Sequence, residues 1–285
     1  MLHTSLIRLD DSARAARPGD DDDPRSDAAT IAHWTLVRPH AANAIDLATT
    51  DALEAAIASI EASTPPYRPR AIVLTAASRS GAEPGARDIF CAGADLGELV
   101  ATVDPEPFSR RMTALLARLE ALPSVVVAAI EGDVYGGGCE LLTACDLRVA
   151  EAHVTFAFRH ARMGLTTGWG GTTRLSRMVG IGAAKRLLLT GLPCDAAEAL
   201  RIGFVERVVE RGAAVSEALR IAAAVAQGGV HAVALLKVGV HDAYGARDVL
   251  AASYEREVAR FSDAWANGEV AVALANRAFP RGRTA

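Results

Sequence analysis

Aromatic residues make up only 5% of this 285-residue chain, and cysteine is scarce, with four residues at 91, 139, 145 and 194. The cysteines form no CxxC pair and accompany no metal-ligand spacing, so buried, reduced thiols are expected and no metal site is. The histidines at 3, 33, 40, 153, 231 and 241 show no ligand spacing either. A basic excess is also missing. The formal charge is −4 and the pI near 6.0, which argues against nucleic acid or an anionic membrane as a partner. No apolar run approaches the roughly 20 residues of a membrane helix. The first ten residues lack the basic start and long apolar core of a signal peptide. A soluble, cytoplasmic protein is the expectation. No internal repeat is visible.

What is present is Ala, Val and Leu in alternating strand and helix patterns, with length enough for one large core. Residues 1–29 form a polar N-terminal segment that includes the acidic run at 20–23, a charge block of the kind usually solvated. Strands are expected at 31–37, 70–76, 147–150, 154–158 and 205–209. Asp46 or Thr50 suits the cap of a helix running to about Ile60, and Pro65 and Pro66 break it. A second helix at 107–122 presents Met112, Leu115, Leu116 and Leu119 at core-facing spacing. Further helices are expected at 183–189, 196–202, 215–226, 232–243 and 248–266. The alternation predicts an α/β fold built from βαβ-type units over 30–195, with a mainly helical region at 196–285.

The organising stretch lies at 125–146. An apolar run at 125–130 reads as a buried strand, Gly136, Gly137 and Gly138 follow, and a helical pattern opens with Glu140. Backbone N–H groups at a helix start attract negative charge, and glycine lets a ligand approach them closely. A first-turn carboxylate is favoured there by the helix dipole. The arrangement suits a developing oxyanion beside an acid/base group. A second glycine-rich loop, at 164–174, opens into another helix.

Three stretches together resemble the crotonase (enoyl-CoA hydratase/isomerase) superfamily. They are Phe90-Cys-Ala-Gly-Ala-Asp-Leu96, the Gly-Gly-Gly-Cys-Glu-Leu and Ala-Cys-Asp segments within 136–146, and Met163-Gly with Trp169-Gly-Gly-Thr-Thr-Arg-Leu175. They stand in family order and spacing. The resemblance implies a spiral of ββα turns with a C-terminal helical region, assembled as trimers or dimers of trimers. It implies acyl-CoA substrates, with coenzyme A as part of the substrate and no separate cofactor. It places the thioester carbonyl between the backbone N–H groups of Ala92 and Gly137, with Gly93, Ala94, Asp95, Gly136 and Trp169 around the substrate, and it makes Glu140 a catalytic acid/base.

One position departs from the pattern. Twenty residues beyond Glu140, where hydratases of the family carry a second glutamate, this chain has His160. Histidine titrates near neutrality and serves as base or hydrogen-bond partner, or it merely shapes the pocket. The residues around it look similar to the ethylmalonyl-CoA decarboxylase branch, where carbon dioxide leaves and one acid protonates the enolate. Hydratase/isomerase chemistry is thus the leading expectation, decarboxylation of a small branched malonyl-type thioester the second, and a non-catalytic CoA-binding homologue the third. Asp95 reads as a cap or turn residue, and Trp169 as a packing residue. Arg159 and Arg162, flanking His160, read as solvated charges or as partners for a substrate carboxylate or phosphate. Arg38 and its loop lie where the family binds the nucleotide part of CoA.

Overall fold

The computed structural model describes residues 2–8, 30–64, 68–78, 88–101, 104–243 and 247–266. The acidic run at 20–23, Pro65 and Pro66, and residues 79–87 lie outside the described residues.

Among the described residues ten strands make two sheets. The larger contains β1 (Leu2–Arg8), β2 (Thr30–Leu36), β3 (Ala71–Ala76), β5 (Val125–Ile130), β7 (Leu147–Glu151) and β10 (Arg207–Val209), in that order. All its pairs are parallel except β1 with β2. The smaller contains β4 (Ile89–Cys91), β6 (Asp133–Tyr135), β8 (Thr155–Ala157) and β9 (Cys194–Asp195). The chain alternates between them: β3 leads to β4, β5 to β6, and β7 to β8, each step followed by helix. That is the expected spiral of ββα turns. The sequence reading did not assign strand β1, which pairs antiparallel with β2 from Leu2 opposite Leu36 to Arg8 opposite Thr30.

The large sheet is apolar on both faces, as parallel sheets are. Side chains alternate across it. Ile72, Leu74, Val126, Ala128 and Ile130 face the main core, whereas Ala71, Val73, Val127 and Ala129 face α7 (Ala214–Ala226). Helix α7 meets them with Ala214, Ala218 and Ala222, one every fourth residue and all fully buried. Four-residue spacing puts these small side chains on one face, letting the helix lie close against the strands. Residues on both sides of 195 therefore share a continuous core, because β10 pairs with β7 in the large sheet and α7 packs against that sheet.

The main core is closed by α1 (Leu47–Ala62) and α3 (Glu106–Ala121). Asp46 caps α1 through its side chain, accepting from the Thr49 N–H at 2.7 Å. The remaining helices are α2 (Leu96–Ala101), α4 (Gly137–Thr143), α5 (Gly171–Thr190), α6 (Ala196–Arg201), α8 (Val230–Ala243) and α9 (Arg247–Ala266). Among the described residues no single helix is long and apolar enough to cross a membrane.

Candidate active site

Helix α4 carries the central carboxylate. It has only seven residues, all buried, and cannot be held by its own ladder. Its start is set by Gly136, whose φ of 50° and ψ of −121° put it in a region favouring glycine. Its end is held by Arg148 on β7, whose guanidinium donates to the carbonyls of Leu142 at 3.1 Å and Cys145 at 2.6 Å. Asp146, just beyond, accepts from the Val126 N–H and pairs with Lys237 of α8, at 2.7 and 2.6 Å.

Glu140 is 1% exposed and accepts hydrogen bonds on both carboxylate oxygens. Its Oε2 accepts from the backbone N–H groups of Trp169 at 2.8 Å and Gly171 at 2.9 Å. Its Oε1 stands 3.0 Å from His160 Nε2 and 3.4 Å from the Gly168 N–H. The second glycine-rich loop thus folds over Glu140 and holds it through main-chain donors. An ionised carboxylate only accepts, and in that state the imidazole donates to it from Nε2. His160 Nδ1 is buried and has no hydrogen-bond partner. Glu140 and His160 form a directly bonded dyad.

The loop itself is fixed from several sides. The Gly168 carbonyl accepts from Ser109 Oγ at 2.5 Å and Thr113 Oγ1 at 2.9 Å, both on α3. The Trp169 carbonyl accepts from Arg174 at 2.7 Å. Trp169, 3% exposed, packs edge-on against Phe108 and covers Gly137, where a Cβ would lie 2.6 Å from the indole Cη2. Trp169 is therefore the packing residue that the sequence suggested, and it packs on the glycine at the head of α4.

One expected oxyanion donor is corrected. The Ala92 N–H donates to the Ala42 carbonyl at 3.0 Å and is thereby engaged inside the fold. The next residues run beside Ile45, whose N–H donates to the Gly93 carbonyl at 2.8 Å and whose carbonyl accepts from the Asp95 N–H at 2.9 Å. In such a parallel bridge the intervening residue, Ala94, turns its own N–H away from Ile45. Gly93 lies against the head of α4: a Cβ there would stand 2.7 Å from the Gly137 nitrogen. Among the described residues no acceptor is found for the N–H groups of Ala94 or Gly137. Residue spacing along a motif does not show which N–H groups the neighbouring chain engages, and so the engagement of the Ala92 N–H was not visible in the sequence.

Asp95 has the structural role expected of it. One oxygen accepts from the Gly97 N–H at 3.1 Å, and the other pairs with Arg38 at 3.0 Å. Arg38 also pairs with Asp46 at 3.0 Å and donates to the Ala44 carbonyl at 2.7 Å, binding the 38–46 loop to the 93–95 segment. Asn43, missed in the sequence, joins that loop to β3 and β4 by donating to the carbonyls of Ala77 and Ile89, at 3.0 and 2.9 Å. Of the arginines flanking His160, Arg159 stacks over the Tyr135 ring at 3.8 Å, and Arg162 donates to the Thr190 carbonyl at 3.0 Å. All four cysteines are buried and free. Burial pushes the thiols up, to about 12 for Cys91 and Cys145 and to about 11 for Cys194.

Comparison with known proteins places this geometry. A sequence profile described as enoyl-CoA hydratase/isomerase matches residues 26–275. The short-chain-enoyl-CoA hydratase of Clostridium acetobutylicum is 36% identical over 213 residues, covering 74% of this chain and 77% of that protein. The ethylmalonyl-CoA decarboxylase of Mus musculus is 39% identical over 129 residues, covering 44% of this chain and 40% of that protein. Among solved structures, the enoyl-CoA hydratase of Mycobacterium tuberculosis superposes with a TM-score of 0.69 at 33% identity, over 86% of this chain and 97% of that one.

Proposed function

Because the chain belongs to the enoyl-CoA hydratase/isomerase family, we propose that it acts on acyl-CoA thioesters through a thioester enolate held by the N–H groups of Ala94 and Gly137. Coenzyme A is part of the substrate, and the chemistry calls for no separate cofactor. Removal of one oxyanion-hole donor typically costs about 10²–10³ in rate, so a matched backbone pair supplies much of the catalysis.

The observation that carries this reading is the asymmetry of Glu140. Oε2 is held by two short main-chain hydrogen bonds, whereas Oε1 faces His160 and only a long N–H contact at 3.4 Å. Oε1, held by no short main-chain hydrogen bond and bonded to His160, is the oxygen that takes and returns a proton. In hydration a water gives one proton to Glu140 as its oxygen bonds to the β-carbon, the electron pair of the carbon–carbon double bond moves towards the thioester oxygen, and the enolate takes a proton from Glu140 at the α-carbon. In isomerisation one proton leaves and another returns elsewhere on the same skeleton. Both need a proton carrier next to a stabilised enolate.

His160 favours a second reading. A lone carboxylate bonded to an imidazole does not offer the pair of carboxylates that bind one water in hydratases. Decarboxylation of a malonyl-type thioester needs no attacking water. The carbon–carbon bond breaks, carbon dioxide leaves, the electron pair passes into the enolate, and one acid protonates the α-carbon. The partial match to the mouse decarboxylase supports this reading.

Crotonyl-CoA and ethylmalonyl-CoA, each followed by mass spectrometry, separate the two. Hydration adds the mass of water, and decarboxylation removes carbon dioxide. Glu140→Ala is expected to lose most turnover of whichever thioester reacts while still binding it. A wild-type chain that binds both thioesters and converts neither would instead be a non-catalytic CoA-binding homologue. A trimer or dimer of trimers in the cytoplasm is the assembly and setting that fit this reading, and sedimentation tests the former.

A further inference from the structure

The loop over Glu140 is gripped by a second buried carboxylate from the opposite end of the chain. Glu257, on α9, is 2% exposed. It accepts from the Thr172 N–H at 3.0 Å, the Thr173 N–H at 3.1 Å and Thr173 Oγ1 at 3.0 Å, and also from Thr167 Oγ1. Thr167 Oγ1 in turn accepts from the Thr172 N–H at 3.1 Å, closing the turn on itself. The first N–H groups of α5 are thus divided between two carboxylates: Gly171 bonds to Glu140, and Thr172 and Thr173 bond to Glu257. The same turn delivers the Trp169 and Gly168 donors to Glu140 and seats Trp169 on Gly137.

We propose that Glu257 is a positioning residue for the acyl-CoA chemistry, fixing from α9 the loop that aims Glu140 and packs Trp169 against the α-carbon of Gly137. The inference rests on the functional reading above. Glu257 touches no reacting atom. It acts through Thr167, Thr172 and Thr173, in a loop whose other tethers are Glu140 itself, Ser109 and Thr113 of α3, and Arg174. A carboxylate suits this task because it accepts four donors on one rigid plane, and the dipole of the first part of α5, ahead of the interruption at Gly180, favours negative charge at that end. Burial raises the Glu257 carboxyl above its ordinary value, and the charge on Glu140 raises it further. Two buried acidic groups set so near each other are an unfavourable arrangement for stability alone, whereas the shared loop makes each the other's counterpart in geometry.

Glu257→Gln tests this in the full-length chain. The amide keeps the volume of the side chain but turns an NH2 towards backbone donors. Turnover of the reactive thioester is measured together with amide hydrogen exchange over 167–173. Displacement of reacting groups by about 1 Å costs on the order of 10²-fold in rate. A fall in kcat of that size, with KM changed by less than about threefold, is expected together with faster exchange in the loop. Thr173→Val, which removes one donor to Glu257 and keeps the bulk, is expected to show a smaller shift of the same kind and covers a Gln variant that fails to fold. Unchanged kcat, or equal losses in kcat and helical content, would overturn the proposal. A wild-type chain that converts no thioester would count against the functional reading instead. The exchange measurement then decides for Glu257 alone, and unchanged protection of the loop overturns it.

Discussion

Glu140 is both anchored and reactive, and the two oxygens divide those roles. Glu140→Gln keeps the size of the side chain but puts an NH2 against N–H donors or against His160. A loss of about 10²–10⁴ in kcat is expected, as for other general acid/base groups, with acyl-CoA binding retained in calorimetry. Gly137→Val addresses the other half of the site. Its side chain would collide with the Trp169 ring, and displacing that ring moves the very N–H groups that hold Glu140. Turnover is expected to fall at least as far as in Glu140→Gln, with added loss of thermal stability. At this scale Glu140, Gly137 and His160 could be singled out from the sequence as candidates, because motif spacing names residue types. The loss of the Ala92 N–H as a free donor was not legible, because it depends on the Ala42 carbonyl contributed by a different loop.

Element by element, the short pieces matter more than the long ones. Helix α4 survives at seven residues because Arg148, with a side chain only 4% exposed, satisfies its terminal carbonyls, donates to the Phe204 carbonyl at 2.7 Å and pairs with Glu206. Arg148→Met leaves the buried carbonyls of Leu142, Cys145 and Phe204 without this donor, each such loss costing about 1–3 kcal/mol, and is expected to lower the urea midpoint accordingly. Activity should fall with it as α4 loosens. Apolar runs made β5 readable residue for residue, since 125–130 is the observed strand. The strands of the smaller sheet have two or three residues each, too few to show a period, and these went largely unread. Helix α5 was read in two parts for a physical reason: Gly180, at φ 76° and ψ 163°, interrupts it.

For the whole molecule, two measurements probe the interior. The thiols of Cys91, Cys139, Cys145 and Cys194 are buried and shifted upward by burial, so they remain protonated at neutral pH. A thiol reagent at pH 8 is expected to label none of them until denaturant unfolds the chain. Glu131, at the end of β5, has its carboxyl raised by burial and by the charges of Glu151 and Asp88. A raised carboxyl means the folded state holds its proton longer than the unfolded one. The contribution of Glu131 is therefore most favourable in acid and is lost as pH rises through the raised value. Glu131→Gln is expected to raise the melting temperature at pH 8 and to have little effect near pH 4, where the native residue is already neutral in both states, as differential scanning calorimetry would show.

Sequence alone determined the fold class, the family motifs and the identity of the central carboxylate. Periodicity, glycine spacing and residue type are local properties, and they survive without coordinates. Tertiary structure decided how those parts meet. It engaged the Ala92 N–H with Ala42 and turned that of Ala94 away from Ile45, bonded His160 to Glu140, and brought Glu257 from α9 onto the same loop. Each of these is a contact between segments far apart in the chain. No local pattern encodes such contacts, because they depend on which donors and acceptors the remaining backbone leaves unmatched.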